Sequence, residues 1–328
     1  MTFLYVVVGL TLMFDFINGF HDSANSIATV VSTKVLSPLS AVALAAVFNF
    51  VAFTVFPLKV ASTMSFGVVN STVINLTVIA AALVAAITWN LLTWWLGLPS
   101  SSSHTLVGGL VGAAIAGNGF SSVIWKGVGK IALFIVVSPL LGMILSFIIA
   151  VIVMHIVKHQ TPFGVDKHFR RLQLLSASAF SLGHGGNDAQ KSMGIIWVAL
   201  IISGLATKDQ KIHLWIVLAC QASIALGTLF GGWRIVKTMG QRITKLKPFE
   251  GFCAETAGSL TLFGATALGI PVSTTHTITG AIMGVGSTKR LSAVKWGVTN
   301  KIFWAWILTI PVSAVIGAII YLILSHII

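Results

Sequence analysis

The sequence predicts an all-α integral membrane protein: a multi-span helical bundle with two internal repeats and two re-entrant helical hairpins. Three observations carry the prediction. Of 328 residues, 56% are hydrophobic and only 8% charged, where a soluble protein would carry about 25% charged residues. Apolar runs such as 76–96 and 131–157 reach the roughly 20 residues that cross a bilayer core; a barrel would show short alternating segments instead. Finally, two short polar motifs each occur twice inside these apolar surroundings.

The elements follow in order. Apolar segments run over about 2–18, 24–36, 38–57, 72–96, 131–157, 172–183, 190–206, 212–232, 251–268 and 301–327. Residues 1–16 lack a basic leader and a small-residue cleavage site, so they read as a retained first span. Between the spans, 98–118 and 270–287 each follow a proline and a polar cluster, which interrupts any single straight helix. Their Gly- and Ala-rich stretches, 106–113 and 278–284, look like small-residue packing faces. The expected organisation is a first transmembrane repeat over 1–160, a basic linker over 161–171 and a second repeat over 172–328.

The net charge of +13 comes mostly from segment ends, at Lys158, Lys167, Arg170 and Arg171, then Arg234, Lys237, Arg242, Lys245 and Lys247, then Lys289, Arg290 and Lys295. That placement fits topogenic charge and contact with membrane lipids, and it argues against nucleic acid as a partner. Two basic linkers three segments apart leave the orientation open. Cys220 and Cys253 lie in apolar stretches and suggest neither a disulfide framework nor a metal cluster.

The repeated motifs carry the chemistry. Asn18-Gly19-Phe20-His21-Asp22-Ser23-Ala24-Asn25-Ser26 is answered by His184-Gly185-Gly186-Asn187-Asp188-Ala189-Gln190-Lys191-Ser192. Gly97-Leu98-Pro99-Ser100-Ser101-Ser102-Ser103-His104-Thr105 is answered by Gly269-Ile270-Pro271-Val272-Ser273-Thr274-Thr275-His276-Thr277. The offsets are 188 − 22 = 166 and 276 − 104 = 172. A carboxylate inside a span must face a partner, a cavity or an ion, so the duplicated Asp22 and Asp188 are read as functional rather than as caps beside membrane breaks.

On a helix Asp15, Asn18, Asp22 and Asn25 share a face; such a stripe can coordinate a hard cation, relay protons or form a polar seam. Glu255 lies closer to a segment end, where headgroup or cap roles compete. In the second motif pair, Ser101, Ser102, Ser103 and Thr105, with Ser273, Thr274, Thr275 and Thr277, gather neutral donors where a helix begins. Helix N-termini bind anions, and one N-cap accounts for one hydroxyl, not for four. Lys191 can contact such an anion or pair with Asp188, while His104 and His276 are expected to orient the hairpin backbone. No matched Cys/His/carboxylate set makes a certain metal site. The absence of a nucleophile elbow, Walker A or dinucleotide motif leaves an enzyme reading without chemistry.

Together these four motifs resemble the inorganic phosphate transporter (PiT) family, over essentially the whole chain. The resemblance implies a multi-pass carrier of the bacterial cytoplasmic membrane with inverted repeats, a homodimer, and inorganic phosphate held by the hairpin Ser/Thr groups. It places Asp22, Asn25, Asn187 and Asp188 near the coupling cation, a proton or sodium, with no resident cofactor. His21 stands where sodium-coupled relatives tend to carry Asn, resembling the proton-coupled branch in which phosphate travels with a divalent metal such as magnesium. A histidine beside a carboxylate titrates near neutral pH; as an alternative, it merely replaces an Asn hydrogen bond. Sulfate or divalent-metal symport and a passive anion channel remain the competing readings.

Overall fold

The computed structural model describes residues 1–327, apart from the side chains of residues 65 and 66. Twelve α-helices make up the described chain: α1 Thr2–Ser32, α2 Pro38–Val51, α3 Lys59–Phe66, α4 Leu76–Leu96, α5 Ser102–Asn118, α6 Trp125–Val157, α7 Pro162–Ile202, α8 Leu214–Phe230, α9 Trp233–Lys237, α10 Pro248–Ala267, α11 Thr274–Ser287 and α12 Trp296–Ile327. Among the described residues the nearest approach to β structure is an isolated bridge between Val69 and Val123. Helices α1, α4, α6 and α12 are long and apolar enough to cross a membrane, and α8 with the helical stretch Trp233–Arg242, bent by 61°, makes a fifth if counted as one span.

Two expected breaks do not exist. Segments 2–18 and 24–36 are one helix of 31 residues, about 46 Å long at 1.5 Å per residue. Segments 172–183 and 190–206 likewise belong to α7, which starts at Pro162. The polar motifs at Asp22 and Asp188 therefore sit in mid-helix, not at breaks. The basic stretch 161–171 is helical from Pro162 on. The Thr161 hydroxyl accepts from the Gly164 amide at 3.3 Å and caps α7, so Lys167, Arg170 and Arg171 lie in its opening turns. Each motif divides the apolar pattern, but nothing in it breaks a helix except glycine. Gly19 is needed for contact: a Cβ there would meet the Ile224 carbonyl oxygen of α8 at 2.1 Å.

Real breaks fall at the second motif pair. Gly97 ends α4 with φ +67°, and Gly269 follows α10 with φ +68°. In each case the next residue's amide reaches back to close the turn, Leu98 to Thr93 O and Ile270 to Ala265 O, both at 2.9 Å. This left-handed glycine end is followed by a proline, which cannot continue the helix. The hairpins are thus α4–α5 and α10–α11.

The small-residue faces then find partners in the opposite half. A Cβ on Gly108 or Gly112 of α5 would strike Ile310 O at 2.6 Å or Ala314 O at 1.8 Å on α12. On α11, a Cβ on Gly280 or Gly284 would strike Pro139 O at 2.1 Å or Met143 O at 2.2 Å on α6. The offset is 172 for both glycine pairs (280 − 108, 284 − 112) and for the in-helix prolines (311 − 139). Each half closes its hairpin against the long last helix of the other, so the hairpin starts are brought to the centre.

Candidate functional site

Ser101 and Ser273 cap α5 and α11. Their hydroxyls accept from the His104 and His276 amides at 3.3 and 3.2 Å. Two helix N-termini, each with unpaired amides and a partial positive charge, thus open into the protein interior. The imidazoles of His104 and His276 meet there, ring centroids 4.9 Å apart at 60°. His276 also stacks at 4.0 Å on Trp306 of α12, whose indole donates to Pro99 O at 3.0 Å. Thr105 and Thr277 turn back instead: their hydroxyls donate to Ser102 O at 2.6 Å and Ser273 O at 2.9 Å. They stabilise the first turns rather than face the centre.

Helices α1 and α7 supply the opposite wall, in matched pairs. Within each half, the motif aspartate accepts from its own hairpin: Ser102 Oγ donates to Asp22 Oδ2 at 3.3 Å and Thr274 Oγ1 to Asp188 Oδ2 at 3.0 Å. Between halves, Asn25 Nδ2 donates to Thr275 Oγ1 at 2.9 Å and to Thr274 Oγ1 at 3.2 Å, while Lys191 Nζ donates to Ser103 Oγ; within its own half Lys191 also donates to Asp188 Oδ1 and to Val272 O. The residue before each aspartate anchors the wall to the hairpin's first helix. His21 Nε2 lies 3.1 Å from Thr93 Oγ1, and Asn187 Nδ2 donates to Thr266 Oγ1 at 3.0 Å.

The electrostatics are concentrated in a small volume. His21 Nδ1 bonds Asp22 Oδ1 at 2.6 Å, and His184 Nε2 lies 3.2 Å from Asp188 Oδ2. One ligand atom each from Asp22, His184 and Asp188 fall within 4.8 Å of one another, a spacing that a hard cation can bridge. Asp22, Asp188 and Lys191 are each 2% exposed, so the centre is buried. Nearby grooves are of another kind: that between α6 and α12, about 450 Å³, is lined by apolar groups such as Val136, Leu140 and Phe303.

The motif reading does not single out His184, although its i−4 spacing from Asp188 is a visible signal. For Glu255 the structure corrects the expectation. It is fully buried within α10, accepting from Thr29 Oγ1 and Ser176 Oγ at 2.5 Å and from Gln173 Nε2 at 3.0 Å; no headgroup reaches it.

The comparisons with known proteins agree with one another. The profile of the phosphate transporter family matches residues 18–165 and, a second time, 158–317. This chain belongs to the phosphate transporter (PiT) family. In that family, the Rhizobium meliloti protein named "Probable low-affinity inorganic phosphate transporter" is 57% identical over 96% of this chain and 94% of its own length. A Bacillus subtilis protein of the same name is 46% identical over 98% of this chain and 97% of its own. Among solved structures, one named "The sodium-dependent phosphate transporter" superposes with a TM-score of 0.88 at 26% identity, covering 100% of both chains. As a PiT protein the chain is a multi-pass membrane transporter and not an enzyme, and phosphate is the substrate of its family.

Proposed function

We propose that this PiT chain is a secondary symporter of inorganic phosphate working by alternating access, with a proton as the coupling ion. Ser101, Ser102, Ser103, Ser273, Thr274 and Thr275, with the α5 and α11 amides and Lys191, hold the oxyanion. Asp22, Asn25, Asn187 and Asp188 form the cation side, with His21 as a proton-exchanging partner of Asp22. Thr105 and Thr277 shape the hairpin starts, and His104 and His276 hold them together.

One observation carries the reading: Lys191 bonds Asp188 and the Ser103 hydroxyl together. It ties the acidic wall to an anion-type helix start of the other half. Charge counting supports symport. Asp22 and Asp188 against Lys191 leave one uncompensated negative charge when His21 and His184 are neutral, and a phosphate adds more. A buried, water-poor centre tolerates this only with cations aboard. Moving one negative charge into an inside-negative cell costs about 2.3 kcal/mol per 100 mV, so the cargo must include compensating positive charge. The Asp22, His184 and Asp188 atoms within 4.8 Å suit a divalent cation travelling with phosphate as cargo.

We place the protein in the bacterial cytoplasmic membrane as a homodimer with inverted repeats. Exposed apolar side chains of α6 and α12, such as Leu133, Ile144, Ile307 and Ile319, suit contact with lipid. Sodium coupling is the second reading, favoured by the likeness to a solved transporter that is named as sodium-dependent.

Radiolabelled phosphate uptake into proteoliposomes, under separately imposed proton and sodium gradients with and without magnesium, tests the proposal. Accumulation with the proton gradient alone is expected. Accumulation with sodium alone would replace the coupling ion, and equilibration without accumulation would replace the symporter by a channel.

A further inference from the structure

Seven residues before Asp22, α1 carries another carboxylate. Asp15 lies two turns, about 10 Å, along the same face. It is 0% exposed, and neither of its oxygens has a hydrogen-bond partner. The Ser192 hydroxyl of α7 faces it without closing a regular hydrogen bond, and both Ser192 Oγ and the buried Asn18 Oδ1 are themselves unpartnered. The repeat does not explain Asp15. Its counterpart at 15 + 166 = 181 is a serine whose hydroxyl donates to its own helix, to Ala177 O at 2.8 Å. A buried carboxylate with no partner is expensive, and two of its neighbours are unsatisfied acceptors.

The surrounding charges decide what it takes up. From α7, Asp188 and Lys191 lie within electrostatic reach of Asp15, and from α8 the Cys220 thiol lies nearby. The sequences of α2 and α4 contain no charged side chain. Arg234 and Lys237 of α9 and Glu255 of α10 belong to the other end of α1, where Glu255 holds Thr29. His21 and Asp22 share the helix but are paired with each other. The Lys191 ammonium is held by Asp188, and Asp15 is left without a hydrogen-bonded cation.

We propose that Asp15 is a proton-binding station of the transport cycle, separate from Asp22 and Asp188 and two turns from Asp22 on the same face of α1. With the proton on Asp15, its O–H donates to Asn18 Oδ1 or Ser192 Oγ. Proton uptake turns the Asp15 carboxylate into a neutral acid and release restores the carboxylate, so the station carries one proton per cycle and gives its unpartnered neighbours an O–H to accept. This step rests on the proton-symport reading above.

The test measures internal acidification with a trapped pH dye alongside radiolabelled phosphate in proteoliposomes, wild type against Asp15→Asn. Wild type is expected to accumulate phosphate with the imposed proton gradient. The variant should move about one proton fewer per phosphate and lose accumulation at least about tenfold. An unchanged proton-to-phosphate ratio in Asp15→Asn overturns the station while leaving symport standing; a wild type that accumulates nothing under a proton gradient overturns the symport reading and this step with it. Infrared spectroscopy of the purified protein covers a variant that folds poorly. The carbonyl band of a protonated carboxylic acid should shift in Asp15→Glu, and a band indifferent to that substitution also overturns the proposal.

Discussion

Asn25 and Lys191 occupy equivalent places in the two halves, 191 − 25 = 166 residues apart, and each donates to the hairpin of the opposite half, Asn25 to Thr275 and Lys191 to Ser103. The contacted hydroxyls are themselves equivalent, since 275 − 103 = 172. The geometry is duplicated and the charge is not. Where one half offers a neutral amide, the other offers an ammonium, so the centre has a positive side without a dense cluster of arginines that would hold an anion too tightly.

Lys191→Met should lower phosphate uptake at least about a hundredfold. It should also destabilise the protein by about 3–5 kcal/mol, because Asp188 is left as an unpaired buried charge. The double variant Asp188→Asn, Lys191→Met should recover most of the thermal stability and none of the uptake. Thermal unfolding in detergent beside proteoliposome uptake separates the two effects; equal loss of stability in both variants would show that the pair is not the cause.

His21→Asn should flatten the dependence of uptake on external pH. Asparagine can keep the Thr93 bond but cannot pass a proton from Asp22. A pH profile that is unchanged removes His21 from the coupling step.

Gly112→Ala should cost about 1–3 kcal/mol as an overpacked contact, since its Cβ would lie 1.8 Å from the Ala314 carbonyl oxygen. Gly129→Ala is the control: nothing lies within 4 Å of a Cβ there, and its effect should stay within about 0.5 kcal/mol. Comparable losses in thermal unfolding would contradict the cross-half packing.

Arsenate should compete with phosphate for uptake and sulfate should compete poorly. Proton-bearing oxyanions can donate to Asp22 and Asp188 as well as accept from the hairpin hydroxyls, whereas sulfate only accepts. Equal competition by sulfate in the uptake assay would place the aspartates away from the anion.

Much of this was legible in the sequence because it depends on cost. Carboxylates and serine clusters are expensive in apolar segments, so their duplication marked Asp22, Asp188 and the two hairpin starts, and Gly-Leu-Pro and Gly-Ile-Pro marked the turns. Pairing across the halves was not legible. The glycine stripes of α5 and α11 announce close packing but not that α12 and α6 are the partners. Motif polarity at Asn18 to Ser26 divides the apolar pattern into two segments, yet one helix runs through both because α7, α8 and the hairpins cover its polar face. Glu255 was misjudged for a related reason: its position near the end of an apolar segment says nothing of Thr29, Gln173 and Ser176, which arrive from other helices.

Arsenate bound to the protein, located by the anomalous scattering of arsenic in a crystal, tests the central claim most directly. The arsenic peak should lie between the α5 and α11 N-termini, within hydrogen-bond reach of Ser103, Thr275 and Lys191. A peak at the protein surface, or one among the apolar side chains between α6 and α12, would contradict it.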